Sequence, residues 1–140
     1  MLQPWPDQRA DTSTVEAEVI TALRLKGNWV VKGYMQVLTT VPSADEGVAL
    51  AQSITSERLA AGVQIIGPIR SLYWWQGSLR DEQEWQLVIK TTQPLLSELE
   101  SHIKANHSYE TPEIVATEIA AGSTEYLDWI SEETRRTDAL

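Results

Sequence analysis

Two histidines and a group of carboxylates near aromatic residues are the side chains best suited to bind a ligand or move a proton. His107 lies in a polar loop, and a neutral imidazole is a good ligand for copper or zinc. One histidine makes no metal site without partners, so a local hydrogen-bonding role for His107 stays open. His102 lies five residues earlier on a predicted helix. The two rings do not share a helical face, and we expect His102 to be solvent-exposed.

Glu84 and Lys90 belong to one predicted strand, and their even separation places both side chains on the same face. At about 3.3 Å per residue they stand roughly 20 Å apart, which is too far for a direct ion pair. They therefore either form a solvated polar face or meet residues from other strands or other subunits.

Three consecutive aromatic residues, Tyr73, Trp74 and Trp75, lie on another predicted strand. Adjacent strand residues point to opposite faces, so one Trp can be buried while another faces a partner or a cavity. The alternative is that all three are packing residues. Tyr109 and Glu113 flank Pro112 further along the chain, where they either belong to a site or anchor a turn.

Length, charge and composition exclude several classes of protein. The 140 residues have room for one domain, and the net charge of −9 disfavours a nucleic-acid partner while it attracts cations. The absence of Cys excludes disulfides and thiolate metal sites. No apolar run approaches the roughly 20 residues of a membrane span, so no membrane partner is predicted. The first residues do not resemble a secretory signal, and we expect a cytoplasmic protein.

No motif for phosphoryl or seryl chemistry occurs: there is no phosphate-binding glycine loop, dinucleotide fingerprint or nucleophile elbow. An acid/base pair of carboxylates stays open, because such a pair assembles only in three dimensions.

The elements that would position these residues begin near residue 35 and follow the order βαββαβ. Apolar periodicity and breaker residues predict strands at 35–41, 63–75, 84–90 and 114–121, and helices at 43–62, 92–103 and around 126–130. Gly67 and Pro68 predict a bend in the second strand, and 76–83 a hairpin loop. The fold class is α+β, a ferredoxin-like antiparallel sheet with a C-terminal helix. We divide the chain into an N-terminal extension at 1–34 with a helix at 13–26, a domain at 35–134 and a frayed tail at 135–140.

Several motifs in fixed order resemble one family. They are Leu-Thr-Thr-Val-Pro-Ser (38–43), Glu-Arg-Leu-Ala-Ala-Gly (57–62), Ser-Leu-Tyr-Trp-Trp-Gln-Gly (71–77), His-Ser-Tyr-Glu-Thr-Pro-Glu (107–113) and Tyr-Leu-Asp-Trp-Ile (126–130). Together they resemble the CutA divalent-cation tolerance proteins over about residues 35–130. The resemblance implies a PII-like homotrimer, a role in copper tolerance, and no established enzymatic activity.

The chain departs from the family pattern at positions that bear on metal binding. Gly62 stands where the family often has Cys and Thr39 where some members have Cys, so a thiol-assisted copper site is not available. Ser108 replaces a proline of the family loop, and Asn106 replaces a second histidine of some relatives.

The resulting prediction is a non-enzymatic, trimeric metal-homeostasis or small-ligand sensing protein of the cytoplasm. It would bind divalent cations such as copper or zinc weakly, with His107 as ligand and without an organic cofactor. A pocket at the subunit boundary would collect Tyr73, Trp74, Trp75, Glu84, Lys90, Tyr109 and Glu113. Two alternatives stay open: an enzyme that uses Glu84, Lys90 and Tyr109 in such a cleft, and a purely structural scaffold.

Overall fold

A computed structural model describes residues 33–135 as a four-stranded antiparallel sheet packed against helices. The elements are β1 (Tyr34–Val41), α1 (Ala44–Ser56), β2 (Gly62–Trp75), β3 (Ser78–Thr92), a 3-10 turn (Gln93–Leu95), α2 (Leu96–Ala105), β4 (Val115–Glu118) and α3 (Thr124–Glu133). The sheet order β2-β3-β1-β4 is that of the ferredoxin-like fold, so the predicted fold class and element order are confirmed. The predicted helix at 13–26 lies outside the described residues.

One face of the sheet, here called the helix face, carries the hydrophobic core. Alternate residues of the two central strands point to this face and are almost fully buried, as strand pleating requires. They pack against the apolar sides of α1 and α2 in one cluster. The cluster includes Val37, Val41, Leu87 and Ile89 from the strands and Leu50, Ile54, Leu99 and Ile103 from the helices.

The predicted end of the first helix at Gly62 is wrong, because α1 ends at Ser56. Arg58 adopts a positive φ of 55°, and the N–H of Leu59 donates to the carbonyl of Ile54 at 3.1 Å. This is the closing pattern in which glycine is the usual residue. Leu59 is buried although it lies beyond the helix end. The apolar spacing of the helix therefore continues past its last residue, and the sequence pattern does not indicate where the helix ends.

The predicted hairpin loop at 76–83 is also wrong. Gln76 and Gly77 alone make the turn, with φ of 48° and 79°, and β3 already begins at Ser78. β1 pairs with β3 only from Trp85 onward. Residues 69–84 therefore form a two-stranded hairpin beyond the third strand, here called the arm. Leu79 is the only apolar residue among 78–83, so this segment resembles a loop in the sequence.

A bulge at the base of the arm decides which side chains face which way. The β2–β3 register shifts between Ile66 and Ile69, as Gly67 and Pro68 predict. Before the bulge odd-numbered residues of β2 point to the helix face, whereas after it they point to the opposite face. A Cβ on Gly67 would overlap the indole of Trp85, so glycine permits the close approach.

The face opposite the helix face is partly covered by α3. The ring of Trp129 comes within 3.0 Å of the position that a Cβ on Gly62 would take, and Gly62 pairs with Lys90. The covered part is therefore the Lys90 end of β3. The other end, around Glu84, carries a groove, and we call this side the groove face. No helix within residues 33–135 is long and apolar enough to cross a bilayer.

Two buried threonines of the core give a paired test of packing. Thr39 Oγ1 has no hydrogen-bond partner among the described residues, whereas Thr91 Oγ1 donates to the carbonyl of Leu59 at 2.7 Å. Thr39→Val should raise the free energy of unfolding by about 1 kcal/mol, and Thr91→Val should lower it by a similar amount. Chemical denaturation of both variants measures the difference. Equal effects of the two changes would contradict the assignment.

Candidate functional site

A groove of about 830 Å³ lies between the arm and the loop at 106–113. β2, β3 and this loop supply its walls, because the bulge turns alternate arm residues to the groove face. Its lining brings together five of the residues predicted to form a pocket: Tyr73, Trp75, Glu84, Tyr109 and Glu113.

Glu84 and Tyr109 form the deepest polar contact of the groove. The Tyr109 hydroxyl donates to Glu84 Oε2 at 2.9 Å, and the Glu84 residue is only 5% exposed. Burial, followed by the hydrogen bond to Glu84 and its charge, raises the pKa of Tyr109 well above its usual range. The phenol therefore stays protonated and remains a donor to the carboxylate at neutral pH.

A second tyrosine–glutamate pair lies beside the first on the arm. The Tyr73 hydroxyl donates to Glu82 Oε2 at 3.0 Å, and loss of solvent together with this contact raises the pKa of Tyr73. Sequence reasoning missed Glu82 because it placed this residue in a loop. Had β3 been extended back to residue 78, the even spacing of Glu82 and Glu84 would have put them on one face.

The charge of the groove is strongly negative. Four carboxylates line it, whereas Arg80 is the one basic side chain that residues 33–135 contribute to the lining. The carboxylates are those of Glu82, Glu84, Glu110 and Glu113. The groove therefore favours cations over anions at its surface.

His107 uses both ring nitrogens for hydrogen bonds within the chain. Nδ1 accepts from the N–H of Tyr109 at 3.0 Å, so Nε2 carries the proton and donates to the carbonyl of Thr40 at 2.8 Å. The ring also lies against Tyr109, with 5.0 Å between centroids. A metal ion would have to replace one of these bonds. The geometry thus favours the local role that the sequence left open, and metal ligation stays a prediction.

The described residues do not fit a resident metal centre. No group of three or more His, Asp or Glu side chains within residues 33–135 is arranged to hold a metal ion. The acidic groove attracts cations by its field, not through a closed ligand set.

The loop at 106–113 is tied down at its start by a third contact. Ser43 caps α1 by accepting the N–H of Glu46 at 3.1 Å, and Glu46 Oε1 in turn accepts the N–H of Ser108 at 3.0 Å. Together with the Thr40 and Glu84 contacts, this bond holds the loop against the end of the sheet. Tyr109 is therefore placed over the groove by the first turn of α1 as well as by β3.

Three sequence-selected residues do not join the groove. Trp74 is 73% exposed and points to the other side of the arm. Lys90 lies at the opposite end of β3, where burial lowers its pKa. His102 is half-buried, contrary to the expectation of full exposure, because its Nε2 meets Ser53 Oγ at 2.7 Å between the helices α1 and α2.

The fold and the groove define an α+β domain of ferredoxin-like topology with an acidic, aromatic cleft and a projecting arm. The family model of the CutA1 divalent ion tolerance protein matches residues 35–133. The chain belongs to this family.

Several relatives support this assignment. The chloroplastic CutA 1 of Oryza sativa is 46% identical over 99 residues, which are 71% of this chain and 56% of that protein. This chain thus spans about half the length of that plant relative. The divalent-cation tolerance protein CutA of Thermus thermophilus is 46% identical over 98 residues, 70% of this chain and 95% of that one. The crystal structure of CutA1 from Oryza sativa superposes with a TM-score of 0.72 at 43% identity, covering 76% of this chain and 97% of that chain.

Removing the Tyr109 hydroxyl gives a pH-dependent test of the groove. Tyr109→Phe should lower the free energy of unfolding at pH 7 by about 1 kcal/mol, because Glu84 loses a donor. The raised pKa of Tyr109 stabilises the fold fully below the unfolded pKa of about 10, and this contribution is lost as pH rises above it. Denaturation between pH 8 and alkaline pH should therefore show a shallower loss of stability in the variant. Parallel profiles would contradict the contact.

Proposed function

We propose that this chain is a non-enzymatic divalent-cation tolerance protein that works as a homotrimer, with the groove at a boundary between subunits. The observation that carries the proposal is the arm, which extends beyond β1 as a bare two-stranded hairpin. An isolated two-stranded hairpin is marginally stable in water and needs a further surface.

The arm offers such a surface to a neighbouring copy. Trp74 and Leu79 pair directly across it and are 73% and 58% exposed on the side away from the groove. Exposed large apolar residues at one place on a strand pair are typical of an interface. A closed ring of copies would cover them without open-ended growth. The number three comes from the family resemblance.

Placing the interface on the arm would also place the groove next to it. Tyr73 and Trp75 line the groove from the same strand whose other side presents Trp74. A copy seated on Trp74 and Leu79 would therefore support from behind the strand that forms one wall of the groove. Ligand occupancy and assembly would then act on the same strand.

Divalent cations would be held weakly in this arrangement. Carboxylates and the net negative charge concentrate them, whereas soft thiolate ligands are absent from the sequence. The enzyme alternative built on Glu84, Lys90 and Tyr109 is disfavoured, because Lys90 lies at the far end of β3 from the groove. The purely structural alternative is disfavoured by an open groove that no described side chain fills.

A cytoplasmic location is part of the proposal and rests on the sequence alone. The plant relative named chloroplastic shows that family members occur in other compartments.

Assembly is tested by a charge placed on the arm. Leu79→Asp should move the trimer–monomer midpoint to at least about tenfold higher protein concentration, since an aspartate would be buried against an apolar neighbour. Light scattering across a dilution series measures the midpoint. Val48→Asp is the matched control, because Val48 is an exposed apolar residue that belongs to α1 and not to the arm. A monomeric wild type, or equal effects of the two changes, would defeat the proposal.

Weak cation capture is tested by calorimetric titration with Zn²⁺. We expect low affinity that falls with added salt, because the attraction is mainly electrostatic. Glu82→Gln should weaken binding more than Asp81→Asn, which removes the same charge from the other side of the arm. His107→Ala should leave most of the binding, since both of its nitrogens are engaged. Tight, salt-independent binding that disappears in His107→Ala would overturn this account.

A further inference from the structure

We propose that the groove binds a small organic cation, an ammonium group that carries methyl or other alkyl substituents. This inference rests on the proposed function in taking the groove as a ligand site, and it names the chemical class of that ligand.

The charge of the groove sets the sign of the ligand. Glu82 and Glu84 project from neighbouring positions of β3, and Glu110 and Glu113 face them from the loop. Against these four carboxylates stands one guanidinium, that of Arg80. A nucleotide or another phosphate would meet repulsion here, because phosphate sites need an excess of donors and positive charge.

Of the four carboxylates in the groove, that of Glu84 would gain most from a positively charged partner. It is 95% removed from solvent, and no ion pair of residues 33–135 includes it. Its one side-chain hydrogen-bond partner among residues 33–135 is the Tyr109 hydroxyl, which donates to Oε2. A buried carboxylate without a cationic partner is costly, and a cation in the groove would remove this cost.

Aromatic side chains distinguish an organic cation from a metal ion. Tyr73 and Trp75 stand two residues apart on one face of β2, and Tyr109 approaches from the loop. Each tyrosine hydroxyl already donates its proton to a carboxylate. The aromatic rings of these tyrosines are therefore the parts that can contact a ligand. Three aromatic side chains with carboxylates are the surroundings that recognise alkylated ammonium groups, whereas a divalent ion needs a closed set of oxygen or nitrogen ligands.

The size of the groove fits a ligand of more than one atom. Its volume of about 830 Å³ far exceeds what a bare metal ion occupies, and it remains open on one side. Small-molecule sites have volumes of roughly 300–1,000 Å³ and combine apolar walls with a few polar groups, as this groove does.

The test compares two probes of equal shape and different charge. Choline carries a trimethylammonium group, and 3,3-dimethylbutan-1-ol replaces that group with an uncharged tert-butyl group. Binding of each probe to the full chain is measured by titration calorimetry and by changes in the NMR chemical shifts of the tryptophan indole N–H protons. We expect choline to bind and the neutral alcohol to bind at least about tenfold more weakly.

Variants locate the site within the groove. Glu84→Gln and Trp75→Leu should each weaken choline binding by about tenfold or more, whereas Trp75→Tyr, which keeps an aromatic face, should restore most of it. Asp81→Asn is the charge control, because Asp81 lies on the other side of the arm and pairs with Arg70. Trp75 is at the exposed rim of the groove, so this variant keeps the test valid even if Glu84→Gln fails to fold.

The outcomes separate this inference from the proposed function. No choline binding, equal binding of the two probes, or binding unchanged in Glu84→Gln and Trp75→Leu overturns the inference. Light scattering and the Zn²⁺ titration on the same preparation report independently on assembly and cation capture. A trimer that takes up Zn²⁺ but not choline would leave the proposed function intact and exclude the organic cation.

Discussion

The unequal length of the paired strands is the constraint on which the rest of the structure depends. β2 and β3 run for 14 and 15 residues, whereas β1 has eight and β4 has four. The outer half of the hairpin therefore leaves the sheet, and no third strand from residues 33–135 lies beside it. β1 is paired on both sides, by β3 and β4, and we propose that the arm obtains its remaining contacts from a neighbouring copy. The proposed assembly follows from this mismatch.

The bulge at Gly67 and Pro68 determines which side chains of the arm line the groove. Because it shifts the alternation of β2 by one residue, Tyr73 and Trp75 face the same side as Glu84, while Trp74 faces away. Without the shift, the two residues of the groove wall would point to the helix side of the arm. The loop at 106–113 completes the groove, since His107 and Glu46 fix the position from which Tyr109 reaches Glu84. Local backbone geometry thus decides which aromatic residues line the groove and which face away from it.

Sequence reasoning predicted the order of the elements and selected five of the residues that line the groove. Apolar alternation located β1 and the inner part of β3, and the capping pattern at Ser43 located the start of α1. It failed where burial is absent: residues 78–83 are polar except for Leu79, so their pattern does not distinguish a projecting strand from a loop. The end of α1 was missed because Leu59 keeps the helical spacing although it lies beyond the helix.

The residues predicted to form the site also fall into two groups, those that line the groove and those that do not. Tyr73, Trp75, Glu84, Tyr109 and Glu113 were selected from the sequence and line the groove, whereas Trp74 and Lys90 do not. Strand parity alone could not separate Trp74 from Trp75, because the effect of a bulge on parity depends on how many residues it inserts. Lys90 shares a face with Glu84 as predicted, but α3 covers its end of the strand, and a helix docked from later in the chain leaves no local signal.

Amide hydrogen exchange of the assembled protein tests the central claim most directly, namely that a neighbouring copy supports the arm. Backbone amides in 69–84 should be protected to an extent comparable with those of β1, and this protection should fall on dilution below the assembly midpoint while that of β1 persists. Rapid exchange throughout the arm in the concentrated protein, beside a protected β1, would contradict the account.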